Sequence, residues 1–344
     1  MQTPVTYLLM TYRQAKYVRD AVRSALAQDL QPLEIIISDD ASGEGTFEAA
    51  ADEARRYAGP HTVRLNRNGD RLGSAEHLAK LTAMARGRLL VTAHGDDISL
   101  PHRARTLLDA MQRHRVSLAS SNATYIDAHD RPHGAVSRTT GSQRIEAAEM
   151  IANGRNLDLL GATLAFDRAV VERFRPLQRR NLATGLDQVL PLRASVLDGV
   201  YFVAESLVRY RRHADNMSNA VVDRTGTQLV FDESCLAQDM AARAHALADL
   251  EALNQIDPSE AVRDTCTLLE RRLLSDLHKW AGLRAQLHAI DSRPTWIAAN
   301  VMAQRRLKRR FSTRWWQHDR EFFIDKVRRH LTMRMRTRSD ESQR

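Results

Sequence analysis

Asp96 and Asp97 close the segment Arg88-Leu-Leu-Val-Thr-Ala-His-Gly. Adjacent carboxylates repel unless they share a cation or each finds its own partner. Mg²⁺ and Mn²⁺ take oxygen ligands and are commonly held by one or two carboxylates together with substrate phosphates. A cation held in that way neutralises charge on a leaving diphosphate. Gly95, just ahead of the pair, lets a ligand approach the backbone. The competing use of Asp97, or of Ser99, is to cap a helix opened by Pro101. Asp39-Asp40-Ala-Ser-Gly follows a second apolar run and suits either a base or ribose edge or an ordinary turn. Thr11 and Tyr12 follow the first apolar run. Asp187 stands alone in the helical stretch Thr184–Arg193, where an Asp is ordinarily solvated. Arg209-Tyr-Arg-Arg-His213-Ala-Asp-Asn-Met-Ser218 contains Arg211 and His213, which suit phosphate contact or metal ligation and equally a basic surface loop.

These residues need elements to carry them. Apolar runs at Thr6–Met10, Leu33–Ser38, Thr62–Leu65 and Arg88–Ala93 read as buried strands. Helical spacing between them, at Tyr17–Leu26, Thr46–Tyr57 and Ser74–Ala85, predicts strand–helix alternation. Such alternation argues for a mostly parallel, Rossmann-like sheet with helices on both faces. Ligands in open α/β sheets bind at the carboxyl ends of the strands, and the Thr11, Asp39 and Asp96 clusters stand there. Further on, a helix runs from Pro101 to about His114 and a strand from Val116 to Tyr125. A loop or hairpin spans residues 127–143, and a short strand spans Gly161–Phe166. Helices cover Arg168–Phe174 and Thr184–Asp198, followed by a strand at Val200–Val203. From about Thr227 the pattern becomes long and helical, broken at Pro258. The expected division is 1–225, 226–292 as a helical C-terminal region, and 293–344 as a basic tail.

Taken in order, strand–Thr-Tyr–helix, strand–Asp-Asp-x-Ser-x-x-x-Thr, strand–x-Asp-Asp-x-x-x-Pro, Asp-x-x-Leu-x-x-Arg and Tyr-Arg-x-His-x-x-Asn-x-Ser resemble the family 2 glycosyltransferases with the GT-A fold. The resemblance covers about residues 4–220. It implies an inverting transfer of a sugar from a nucleoside-diphosphate sugar to an acceptor hydroxyl, with a divalent metal, Mg²⁺ or Mn²⁺, as cofactor. It implies that Thr11, Tyr12 and Asp40, with Asp39 nearby, hold base and ribose. Asp96 would contact ribose or metal, Asp97 would be the principal metal ligand, and Asp187 would be the general base. Arg211 and His213 match a loop that closes over the diphosphate, with His213 a further metal ligand. Three positions depart from the family pattern: Met10 replaces Pro, Arg13 replaces Asn, and His94 replaces the first Asp of Asp-x-Asp-Asp.

Composition bounds the rest. The 344 residues are 43% hydrophobic and 27% charged, which excludes a largely disordered chain. Net charge is +9, yet the segment from Arg293 to Arg344 holds 15 Lys and Arg against 5 Asp and Glu, leaving −1 for the preceding 292 residues. The excess therefore concerns location, not chemistry. Basic residues beside Trp315, Trp316, Phe322 and Phe323 suit a helix lying on an anionic membrane surface. Two cysteines, no apolar run of membrane-spanning length and no leader-like start lead to the expectation of a cytoplasmic protein, with the basic tail a candidate contact to the inner face of the membrane. A glycan or lipid-linked acceptor is expected, nucleic acid is not, and pocket shape near Thr140, Ala162 and Thr163 is expected to set specificity. Two alternatives stand beside this reading. A nucleotidyltransferase would more often show a glycine-rich loop after the first strand, where Thr11-Tyr-Arg-Gln14 has none. A polyanion binder acting through the tail leaves the ordered aspartates unexplained.

Overall fold

A computed structural model describes residues 4–137, 141–153, 159–178, 185–213 and 228–291. The first half alternates as its periodicity predicts: β1 (Val5–Thr11), α1 (Val18–Leu26), β2 (Glu34–Asp39), α2 (Thr46–Arg55), β3 (Thr62–Arg67), α3 (Ser74–Met84) and β4 (Leu89–His94). Then follow β5 (Ile98–Ser99), α4 (Arg103–His114), β6 (Leu118–Ile126), β7 (Pro132–Ala135), β8 (Gln143–Ile145) and α5 (Ala147–Asn153). After them come β9 (Leu164–Asp167), α6 (Ala169–Glu172), α7 (Leu186–Ser195), β10 (Val200–Arg211), α8 (Gln228–Ile256) and α9 (Glu260–Asp291).

The sheet is mixed, in the order β3-β2-β1-β4-β9-β6-β10-β5, with β7 on β6 and β8 on β10. β1 to β4 are parallel, and so are β6 and β10. β9 runs antiparallel between β4 and β6, and β5 lies antiparallel on β10. In the first part of the expected loop or hairpin, β7 returns antiparallel along β6. The expected strand at Gly161–Phe166 begins later, because the Thr163 amide and hydroxyl both bond the Leu160 carbonyl and close a turn over Gly161–Thr163.

The central strands β1, β2 and β4 are buried on both faces. Tyr7, Leu9, Ile35, Ile37 and Val91 face one core with residues of α1, α2 and α4. Leu8, Met10, Ile36 and Leu90 face the other with residues of α3, α5, α6 and α7. The two-residue period of a strand sends neighbours to opposite sides, and both sides are apolar here.

The second core continues into α8 and α9 through Met240, Leu250, Val262 and Leu269, so the helical region packs on the sheet domain. Ser259 caps α9, its hydroxyl accepting from the Val262 amide at 3.2 Å. The Arg193 guanidinium donates to Asp249 at 2.6 Å with both side chains fully buried, which joins α7 to α8. The expected boundary near residues 220–228 lies largely outside the described residues, as do Thr140, Thr184, Asn216, Ser218 and the basic tail. No helix among the described residues is long and apolar enough to cross a membrane.

Candidate functional site

Backbone register brings the polar clusters together. Thr11 pairs with Asp39, and Met10 pairs with both Ser38 and His94, so the ends of β2, β1 and β4 stand side by side. Gly95 is the joint between them. A Cβ there would lie 2.6 Å from Gln14 Oε1 and 2.7 Å from Thr11 Cγ2. The glycine therefore admits β1 rather than a ligand, which replaces the reason expected from sequence.

Thr11, Asp39 and Asp40 are all buried. The Thr11 hydroxyl lies 3.2 Å from both the Ser38 carbonyl and Asp39 Oδ1, while Asp39 Oδ2 accepts from the Ser42 amide at 2.8 Å. Asp40 Oδ1 accepts from Asn68 at 2.9 Å and from the Leu72 amide at 2.8 Å, and Oδ2 from the Gly73 amide at 2.8 Å. Asp40 thus fastens the loop before α3. That loop carries Arg71, whose guanidinium stacks 4.2 Å over the Tyr12 ring, with Arg13 at 5.4 Å. The pair of Tyr12 and Arg71 forms a flat, charged wall suited to an aromatic base.

Across β1, the ligand atoms of His94, Asp96 and Asp97 all lie within 4.8 Å of one another. Asp97 does not cap α4, which starts at Arg103 without a side-chain cap. One of its oxygens accepts from the Arg211 amide at 2.9 Å, and the other, Oδ2, is buried without a hydrogen-bond partner. Burial first, and the Asp96 charge second, push the Asp97 carboxyl well above the usual carboxylate range. Burial also pushes His94 below the usual histidine value, against a smaller opposing effect of Asp96. His213 Nε2 sits 3.1 Å from Asp96 Oδ2. A clustered imidazole–carboxylate set with an orphaned buried oxygen fits a divalent cation.

β10 brings Arg211 and His213 to this place. It extends eight residues further than the predicted strand at Val200–Val203, running from Val200 to Arg211, and pairs Arg209 with Ile98. Arg211 is only 1% exposed. Its Nε donates to the Asp96 carbonyl at 2.8 Å, and one terminal nitrogen reaches the Asp127 carbonyl at 3.2 Å and the Asp130 carboxylate at 2.5 Å. Its plane lies 4.6 Å from the Tyr17 ring, which also meets the His213 ring at 4.8 Å. Arg211 therefore clamps the aspartate turn from behind. Tyr17 and Arg103 belong to this support and escaped the sequence reading. Tyr17 counted only as an apolar helix position, and nothing local marks Arg103 as buried. The Arg103 guanidinium holds the Thr92 and Ala162 carbonyls at 2.6 and 2.7 Å beneath the site.

Asp187 opens the first turn of α7, half-buried, beside a small cavity lined by Met150, Leu159, Pro191 and Arg243. The neighbouring Gln188 bonds Asp239 of α8 at 3.0 Å. Of the three residues near which pocket shape is expected to set specificity, Thr140 lies outside the described residues, while Ala162 and Thr163 are buried and the Thr163 hydroxyl lies 2.9 Å from that of Ser120.

The fold and the clustered strand ends define a GT-A-type transferase. Residues 7–174 match the family described as Glycosyl transferase family 2. The match spans just under half of the chain and marks residues 7–174 as similar to the family 2 glycosyltransferases, and the chain is a glycosyltransferase. An uncharacterised glycosyltransferase of Nostoc sp. is 22% identical over 226 residues, 65% of this chain and 69% of that protein. EpsE of Bacillus subtilis, named as a glycosyltransferase, is 27% identical over 111 residues, 32% of this chain and 39% of its own length. The S. aureus TarS 1–349 structure in complex with UDP-GlcNAc shares the fold with a TM-score of 0.53 at 12% identity, covering 83% of this chain and 92% of that one.

Proposed function

We propose that this chain transfers a sugar from a nucleoside-diphosphate sugar to an acceptor hydroxyl with inversion at the anomeric carbon, in surface polysaccharide or glycolipid synthesis. The observation that carries this reading is the buried Asp97 oxygen, orphaned beside Asp96 and His94 at the end of β4. The base stacks against Tyr12, with Thr11, Asp39 and Asp40 shaping its pocket. The diphosphate lies toward Asp96 and Asp97, which with His213 would hold Mg²⁺ or Mn²⁺. Such a cation supplies charge neutralisation on the departing diphosphate. Arg211 keeps the aspartate turn in place instead of touching the phosphates. Asp187, ionised, takes the proton from the acceptor hydroxyl as its oxygen attacks the anomeric carbon. Relatives and fold neighbours that include a UDP-GlcNAc complex support the donor class.

The test is a thermal-shift screen against UDP, GDP, dTDP and CMP with and without Mn²⁺, because binding to the native state raises the melting temperature. One nucleoside diphosphate is expected to stabilise only with metal, and Asp97→Asn is expected to abolish that gain. Stabilisation by none at millimolar concentration rejects the donor site. For the region beyond Arg293, we propose peripheral attachment of a cytoplasmic protein to an anionic membrane. Co-sedimentation with phosphatidylserine vesicles, lost on truncation at residue 292, tests it.

A further inference from the structure

His94 stands where a carboxylate would complete the acidic run, and its position is set by the sheet rather than by a loop. It is the last residue of β4, in register with Met10 of β1, and its ring passes beside Gly161, whose absent Cβ would lie 3.6 Å from the ring. Its ligand nitrogen lies within 4.8 Å of oxygens from both Asp96 and Asp97. Asp97 is only 4% exposed and its Oδ2 has no hydrogen-bond partner, so the cluster includes a buried acceptor that no protein group satisfies.

We infer that His94 is a nitrogen ligand of the divalent cation and that it tunes this site toward transition-series ions such as Mn²⁺ or Co²⁺ and away from Mg²⁺. This rests on the metal reading of Asp96 and Asp97 given above. The chemical reason is ligand type. Carboxylate and water oxygens suit Mg²⁺, which also demands near-ideal octahedral geometry, whereas an imidazole adds affinity along the series from Mn²⁺ upward. A carboxylate at residue 94 would add negative charge to a pair already in conflict. The neutral imidazole adds a ligand atom without charge, which leaves the set at two negative charges against a dication. Two features hold the arrangement in place. His213 pairs with Asp96 at 3.1 Å, and the Arg211 amide holds the other oxygen of Asp97 at 2.9 Å. The Asp97 oxygen left over is therefore the one that shares the ion with His94.

The experiment uses the full chain and the ions alone. Mn²⁺ binding is followed by the loss of its free-ion electron paramagnetic resonance signal, Mg²⁺ by competition, and the nitrogen ligand by ¹⁴N electron spin-echo modulation of bound Mn²⁺. His213→Ala is measured alongside so that the two imidazoles are told apart. Wild type is expected to show ¹⁴N coupling that persists in His213→Ala, where His94 is the remaining imidazole at the site, and is lost when His94→Asn is added to that variant. The Mn²⁺:Mg²⁺ affinity ratio is expected to fall at least about tenfold in His94→Asp, the scale on which even the hydrogen-bond partners of ligands act. Circular dichroism verifies that both His94 variants are folded. Coupling that survives His94→Asn in the His213→Ala background, with an unchanged ratio in His94→Asp, overturns the inference while leaving the metal site intact. Absence of Mn²⁺ binding in wild type, or binding unaffected by Asp97→Asn, rejects the metal site itself.

Discussion

Arg13 holds a φ of +54°, a left-handed conformation that ordinary side chains avoid and that Asn tolerates. Its amide is needed there, donating to the Ser42 hydroxyl at 2.8 Å, so the backbone path between Tyr12 and α1 depends on this strained residue. The family prefers Asn at this point, and the reason is conformational. Arg13→Asn is expected to stabilise the protein by up to about 1 kcal/mol, measured by urea denaturation, with donor affinity little changed. The role proposed for Asp187 is chemical rather than structural. Asp187→Asn is expected to lower kcat by about 10²- to 10⁴-fold with a small change in donor KM, read from steady-state kinetics once the donor is known. Cys266 is shielded by burial, which pushes its thiol to about 11 from 9.0. Because its folded value is raised, its contribution to stability is complete below pH 9 and declines as pH rises through 11. Cys266→Ala should flatten the alkaline limb of Tm against pH, and wild-type Cys266 should react slowly with thiol reagents at pH 8.

At the scale of elements, the junction of β1 and β4 decides whether the site forms. Gly95 fits because Thr11 and Gln14 occupy the space a side chain would need. Gly95→Ala is expected to push Thr11 away from Asp39 and raise donor KM, while the global Tm falls by only a few degrees, since the clash is confined to the strand ends. Isothermal titration with the identified nucleotide checks it. A wild-type affinity in Gly95→Ala would show that the joint tolerates movement. β10 is the second decisive element. Its length carries Arg211 from the sheet edge to the aspartate turn and, one turn of chain beyond, sets His213 on Asp96.

Over the whole molecule, the two long C-terminal helices serve as the cover of one sheet face. The buried pair of Arg193 and Asp249 joins them to α7, the helix that carries Asp187. Removing one partner leaves a buried charge alone, so Asp249→Asn is expected to destabilise by about 3–5 kcal/mol, seen as a fall in Tm. A loss of activity should accompany it only near the new transition. A variant that keeps its Tm would show that water or His245, 3.3 Å from the same oxygen, replaces the lost partner.

The amino-acid sequence by itself determined the order of strands and helices through Arg88–Ala93 and the polar residues that stand at the strand ends, because apolar period and turn residues are local properties. It also located Asp96 and Asp97, since adjacent carboxylates at the end of a buried run have few uses. The placement of α8 and α9 on the sheet, the antiparallel insertion of β9 and the reach of β10 were decided by tertiary structure. Each depends on pairing or burial between residues far apart in the chain. The same holds for Arg211, Tyr17 and Arg103. Burial of an arginine is costly unless carbonyls and carboxylates from distant segments converge on it, and only the folded chain brings Asp96, Asp127 and Asp130 around one guanidinium.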